Sequence, residues 1–251
     1  MPTTRVSNGL AWSPSWWCDH EGPFTRICKL AMVNHLSSAM VNRKVFGLRD
    51  VYWNFGRVHP RSLVRTDWIE CAPLIPEGQE LRAEIQQWSL SRFCDQTISL
   101  CIASDLRLRY CPTCLEQGFQ SVIFQIDALA ACPIHGDALR DSCPSCGAPT
   151  PRYAVAQDVF KAPMQCLACG SPFSGAWSRE SMISAWSPVV RSDLFNEIED
   201  WLRCISRQPL PDFEDETLSG LFEPDRRCFM FGILQRRYPL RLKCMRPRSE
   251  R

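Results

Sequence analysis

The chain has 251 residues, 45% of them apolar, and a formal net charge of +2, so one large or two small packed domains are expected and wholesale disorder is excluded. The charge is uneven: residues 1–70 hold 9 Lys/Arg against 5 Asp/Glu, residues 71–224 hold 11 against 20, and residues 225–251 hold 9 against 2. Basic ends on an acidic middle suit a polyanion such as nucleic acid. The N-terminus lacks the apolar stretch of a signal peptide, and the run 122–132 is short and interrupted by Gln125 and Asp127, so no membrane is expected.

Residues 1–22 read as an extended arm carrying Trp12, Trp16 and Trp17, free to dock on a partner or on the chain's own body. Pro23 suits the first turn of a helix that continues through Phe24, Ile27, Leu30, Ala31 and Leu36 at helical spacing. Ser37 or Ser38 can cap a second helix through Met40, Val41 and Val45, ended by Gly47. A third is expected from Pro60, with Leu63, Val64, Trp68 and Ile69 on its apolar side. A fourth is expected over 80–93, with Leu81, Ile85, Trp88 and Phe93. Residues 23–104 thus form a helical N-terminal module compatible with a helix-turn-helix. Residues 105–180 change character: Cys, Pro and Gly dominate and the helical period fades. The remainder, 181–251, is expected to be helical with a basic tail. An amphipathic helix over 190–206 presents Leu194, Ile198, Trp201, Leu202 and Ile205, an acidic linker covers 208–217, and one more short helix lies near 229–234.

Fifteen cysteines without a secretory leader point to metal ligation rather than disulfides. Four pairs stand in order: Cys111-Pro-Thr-Cys114, Cys132-Pro-Ile-His135, Cys143-Pro-Ser-Cys146 and Cys166-Leu-Ala-Cys169, separated by 17, 7 and 19 residues. Two residues between ligands let one turn aim both side chains at one ion, and two such turns complete a tetrahedron. Eight ligands make two closed zinc sites with no position left for catalysis. Gly136, Gly147 and Gly170 follow the second ligand of a pair, where a positive φ closes the turn; Leu115 departs from this after the first pair. A redox dithiol is the competing reading of a single pair, and four aligned pairs speak against it. Consecutive pairing gives Cys111/Cys114/Cys132/His135 and Cys143/Cys146/Cys166/Cys169, and is favoured over a cross-braced arrangement. His20, His35 and His59 read as surface or packing residues, and the other eight cysteines as core thiols or bystanders.

The stretch RYCPTCLEQG…ACPIHGDALRDSCPSCG…QCLACG over 109–170 resembles the zinc region of the TniQ/TnsD family. The Cys-Pro-x-His-Gly-x-x-Leu element at 132–139 is its most specific part. Upstream, GPFTRICKLAMVNHL is similar to the family's N-terminal segment: Glu21, Lys29-Leu30-Ala31 and Asn34 stand where that family has an acidic residue, Arg-Leu-Ala and Asn. The family's Ser-x-x-Ser-Trp core is not evident, and the resemblance ends near residue 175.

The resemblance implies a mostly α fold with small zinc-bound β-hairpins: a helix-turn-helix-like module, a tandem zinc-ribbon-like centre and a helical C-terminal part. It implies a prokaryotic, cytoplasmic adaptor that selects targets for DNA transposition and is not an enzyme. Its partners would be DNA, an AAA+ transposition ATPase and, in some systems, an RNA-guided CRISPR effector complex; a homodimer is a further arrangement to test. Candidate DNA contacts are Arg43 and Lys44 near the possible helix-turn-helix, and Arg226, Arg227, Arg236, Arg237, Arg241 and Lys243 in the tail. The alternative function is a zinc-ribbon transcriptional regulator unrelated to transposition. No phosphate-binding loop of the Gly-Lys-Ser/Thr kind is present, so the chain is not itself the ATPase.

Overall fold

The structure, a computed structural model, describes residues 5–7, 10–46, 61–66, 69, 78–155, 160, 162–175, 192–207, 232 and 234. The arm folds rather than extends. β1 (Arg5–Ser7) pairs antiparallel with β2 (Leu10–Trp12), and a 3-10 turn over Pro14–Trp16 is capped by the Ser13 hydroxyl, which accepts from Ser15 N. Trp12, Trp16 and Trp17 are buried, and the Trp12 and Trp17 rings stack 5.7 Å apart. Of the two docking alternatives for these rings, the chain's own body is the one observed.

α1 (Pro23–Val33) begins at Pro23 as expected, because the missing N–H of proline costs nothing in a first turn. Every residue of α1 except Met32 is buried, so this helix is packed on all sides. Its polar residues are therefore buried too. Arg26 donates from Nε to Glu21 O, from NH2 to Cys18 O and from NH1 to Glu84 O, each at 2.8 Å, and pairs with the Glu84 carboxylate at 3.0 Å. Asn34 closes the helix: its amide donates to Leu30 O and Ala11 O, and its side-chain oxygen accepts from Ala11 N at 2.6 Å. This bonds the arm to the helix end.

Ser37 caps α2 (Ser38–Met40), accepting from Met40 N, and the chain continues as a π-helical turn over Val41–Val45. Arg43 and Lys44 lie in that turn; their side chains, Gly47, Pro60 and Trp68 are outside the described residues. The helix expected from Pro60 is not formed at its start. Arg61–Ser62 is instead β3, paired antiparallel with β4 (Ala154–Val155). Leu63 N donates to Tyr153 O at 2.9 Å and Val64 N to the Ser62 hydroxyl, so these donors are used outside any helix. Short apolar runs fit either period, and here a distant partner strand decides.

α3 (Gly78–Gln86) is shorter than expected. The Ser89 hydroxyl donates to Gln86 O, Gln86 Nε2 donates to Thr66 O at 2.6 Å, and Leu90 N donates to Val64 O. The helix ends there and a 3-10 turn over Leu90–Arg92 follows. Asp95 caps α4 (Gln96–Ile102), accepting from Ile98 N at 2.9 Å. α5 (Pro112–Glu116) and a 3-10 turn over Val122–Gln125 precede the Cys-rich loops, and α6 (Ser192–Ser206) closes the described chain.

The buried side chains form one core that runs across residue 104. Asp127 N donates to Ile102 O and Ser104 N to Gln125 O. Gly22 N donates to Gln120 O at 2.6 Å, and a Cβ at Gly22 would meet Val122 N and the Tyr153 hydroxyl at 2.8 Å, so only glycine admits this approach. Arg109, also buried, donates to Ile126 O and Leu129 O, and Gln125 Nε2 donates to Arg109 O.

α6 docks through Phe195, Ile198, Trp201, Leu202 and Ile205; Phe195 joins the expected stripe, and the Leu194 side chain is not described. Glu199 on the same face is buried and pairs with His20 Nδ1 at 2.6 Å. His20 is a packing residue, between Trp88 at 4.5 Å and Phe195 at 5.1 Å; His35 is exposed. The linker 208–217 lies outside the described residues, as does the 229–234 segment apart from helical Gly232 and Leu234. No helix among the described residues is long and apolar enough to cross a membrane.

Candidate metal centres

The four ligand pairs converge as two clusters in consecutive order, Cys111/Cys114/Cys132/His135 and Cys143/Cys146/Cys166/Cys169. The cross-braced alternative is not the arrangement observed.

Two kinds of local structure present the donors. In the last three pairs a knuckle recurs: the N–H of Gly136, Gly147 or Gly170 donates to the carbonyl of the first ligand, Cys132, Cys143 or Cys166, at 2.8–2.9 Å. That ligand's own N–H donates to Asp137, Ala148 or Ser171 at 2.7–2.8 Å. The three glycines have φ of 73° to 75°, with nothing within 4 Å of a would-be Cβ. Backbone sign rather than space thus selects glycine. In place of the expected hairpins, single bridges close the knuckles: Ala131↔Ala138, Ser142↔Pro149 and Gln165↔Pro172.

The first pair is different. Cys111 is the N-cap of α5, its sulfur accepts from Cys114 N at 3.4 Å, and Leu115 N donates to Cys111 O as a helical bond. Leu115 stands where the knuckles have glycine because the chain turns here as a helix. The positive φ is deferred to Gly118, at 71°.

The distances test whether a metal fits. A tetrahedron with metal–sulfur bonds of about 2.3 Å and a metal–nitrogen bond of about 2.0 Å has sulfur–sulfur edges of about 3.8 Å and sulfur–nitrogen edges of about 3.5 Å. In the first cluster Cys114 Sγ lies 3.6 Å from Cys132 Sγ, and His135 Nδ1 lies 3.5, 3.3 and 3.7 Å from the sulfurs of Cys111, Cys114 and Cys132. In the second, Cys143 and Cys169 are 3.7 Å apart, as are Cys146 and Cys166. Disulfides would bring sulfurs to about 2.05 Å. These distances match the edges of a metal tetrahedron, and both clusters could hold one ion, through His135 Nδ1 in the first.

Their settings differ. Cys111, Cys114 and Cys132 are buried and His135 is exposed; in the second cluster Cys143 and Cys166 are buried in the same core, while Cys146 and Cys169 are exposed. Hydrogen bonds from Cys111 and Cys114 pull the Cys132 thiol well below its ordinary value, and Ser171 holds Cys169 down at about 6. In the same clusters Cys111, Cys114 and Cys146 are shifted up instead, and every ligand thiol must lose its proton to bind a metal. Outside the clusters the thiols are suppressed: burial pushes Cys94 up to about 12 and Cys101 to about 11, and raises Cys18 and Cys28 as well. They are unreactive core residues. Cys204 is exposed; Cys71, Cys228 and Cys244 lie outside the described residues.

Sequence reasoning missed Asp137, which accepts from the Thr113 hydroxyl at 2.6 Å and from Cys111 Sγ at 3.6 Å beside the first cluster. The Thr113 hydrogen bond holds its carboxyl below the usual range. The tail residues Arg226, Arg227, Arg236, Arg237, Arg241 and Lys243 lie outside the described residues. Comparison of the chain with protein-family models, curated proteins and solved structures finds no match.

Proposed function

We propose that the chain is a zinc-stabilised adaptor for target selection in DNA transposition, working by binding and not by turnover. One observation carries the structural half of this reading: two complete four-donor clusters at metal-tetrahedron spacing, with no donor position left for substrate. Zinc is the ion we assign, because sulfur-rich tetrahedral sets select it. The transposition half rests on the resemblance of 109–170, in particular the Cys-Pro-x-His-Gly-x-x-Leu element, and of Glu21, Lys29 and Asn34. These last three also fasten the arm to α1. The proposed partners are DNA, an AAA+ transposition ATPase and, where one exists, an RNA-guided CRISPR effector complex.

Capture of the purified chain with the ATPase encoded beside it, with and without target DNA, tests this. Stoichiometric retention that depends on the chain is expected. Sequence-specific DNA binding by the chain alone, with no ATPase retained, would favour a transcriptional regulator instead.

The DNA contacts proposed in the tail are separable. Removing residues 225–251 takes away 9 basic residues, and phosphate contacts weaken with salt at a log-log slope of about −0.9 per neutralised phosphate on duplex DNA. Truncation is expected to lower DNA affinity and flatten that slope in filter-binding titrations; unchanged affinity and slope would remove the tail from the interface.

A further inference from the structure

The first cluster is built from two pieces that approach from different directions: Cys111 and Cys114 on the first turn of α5, and Cys132 and His135 on a knuckle. Seventeen residues separate the pairs in sequence, so local chain geometry does not set their distance. Before an ion is present, the donors themselves give little reason to hold it. A backbone bridge, Tyr110↔Arg140, joins the pieces beside Cys111, and at the ligands themselves side-chain bonds to one carboxylate span the gap, from Cys111 Sγ at 3.6 Å and from Thr113. Thr113, between the two cysteines of the first piece, donates from Oγ1 to Asp137 Oδ2 at 2.6 Å, and Asp137 directly follows the knuckle glycine of the second. Asp137 is doubly held, because its carbonyl accepts from Cys132 N at 2.7 Å. Its carboxylate thus sits rigidly on the knuckle and grips the opposite piece by the residue between its two ligands.

We propose that Thr113 and Asp137 are positioning residues of the first metal site, a clamp that fixes the helix-borne and knuckle-borne ligand pairs at coordinating distance. This rests on the reading of the four donors as a metal site. The clamp belongs to this site alone: the corresponding places in the second are Ser145 and Ser171, both uncharged, and Ser171 hydrogen-bonds to Cys169 within its own knuckle. The site assembled from unlike pieces has this cross-tie, while the other is assembled from two like knuckles. Outer hydrogen-bond partners of metal ligands typically change affinity by about 10- to 100-fold when removed.

Cobalt(II) in place of zinc reports the two sites separately in the full chain, because three-sulfur-one-nitrogen and four-sulfur environments give different visible bands. In Thr113→Val, which keeps shape and removes the hydroxyl, we expect chelator competition to show about 10- to 100-fold weaker retention at the site that contains His135. The band of the all-cysteine site should compete as in the unaltered chain, and Thr113→Ser should restore retention. If Thr113→Val retains cobalt at both sites like the unaltered chain, or weakens both bands equally, the clamp is refuted. An unaltered chain that takes up no metal would instead overturn the metal reading itself.

Discussion

Replacing Cys111 by Ser is expected to cost the chain its cooperative fold, whereas replacing Cys169 by Ser should leave most of it standing. Both residues belong to a two-residue-spaced ligand pair, and they differ in burial. Cys111, Cys114 and Cys132 belong to the core that also holds Leu115, Phe119, Phe124 and α1; of the second site only Cys143 and Cys166 reach that core. Structural zinc contributes an apparent free energy of about 10–16 kcal/mol in finger peptides, and whole domains are stable by only about 5–15 kcal/mol. Losing the first ion therefore removes a contribution comparable to the entire stability, from the place where the N-terminal segment, the 120–129 turn and α5 meet. The second site lies on knuckles with Cys146 and Cys169 exposed, so its loss should loosen residues near 143–175 and spare α1. Calorimetry with elemental analysis decides the matter. The expected pattern is no cooperative transition for Cys111→Ser, and a preserved main transition with one ion per chain for Cys169→Ser. Equal melting of the two variants would show that burial does not rank the sites. Strong chelation of the unaltered protein should reproduce the Cys111→Ser result.

How far the sequence could be read depended on whether an interaction is local. The eight donors were legible because two-residue spacing is a local constraint; which pairs share an ion is not local, and the consecutive order that the sequence only favoured is the one both clusters show. Pro23 and Ser37 likewise mark helix starts by local chemistry. The misreadings all involve distant partners. Arg61–Ser62 is a strand only because Ala154–Val155 lies alongside, more than 90 residues away. The tryptophans of the arm gave no period because they pack by tertiary contact. Glu199, one of several charges on an amphipathic helix, carries no local sign of its partner His20, 179 residues away. Arg26 and Lys29 gave no sign of burial, since a basic residue on a helix is ordinarily solvated. Asp137 stood one residue after the knuckle glycine and was hidden by its ordinary character as a turn residue.

Glu21→Ala is expected to destabilise the protein by about 3–5 kcal/mol, the usual cost of leaving one member of a buried pair uncompensated. Glu21 is fully buried, and its Oε1 lies 2.8 Å from Lys29 Nζ as an ion pair. Oε2 accepts from Cys18 N at 3.1 Å, and the Lys29 ammonium also donates to Trp16 O at 3.1 Å. Without the carboxylate, an ammonium stays buried with one carbonyl for company, and the turn at Cys18 loses its anchor. The Arg26 bonds to Cys18 O and Glu21 O depend on that turn, so the loss should spread along the start of α1. Lys29→Met alone should cost a similar amount, by stranding the carboxylate. The double variant Glu21→Gln with Lys29→Met removes both charges and keeps comparable volume; such replacements are commonly neutral or stabilising. Denaturant unfolding of the parent, Glu21→Gln, Lys29→Met and the double variant closes the cycle. A double variant markedly more stable than either single one is the expected result, with a coupling of several kcal/mol. Additive losses would mean that Glu21 acts through the Cys18 turn alone. If the double variant is as stable as the parent, the pair contributes no net stability, and its role is to fix one docking of the arm against α1. A test of that role is whether the arm of the double variant, stable or not, still resists limited proteolysis.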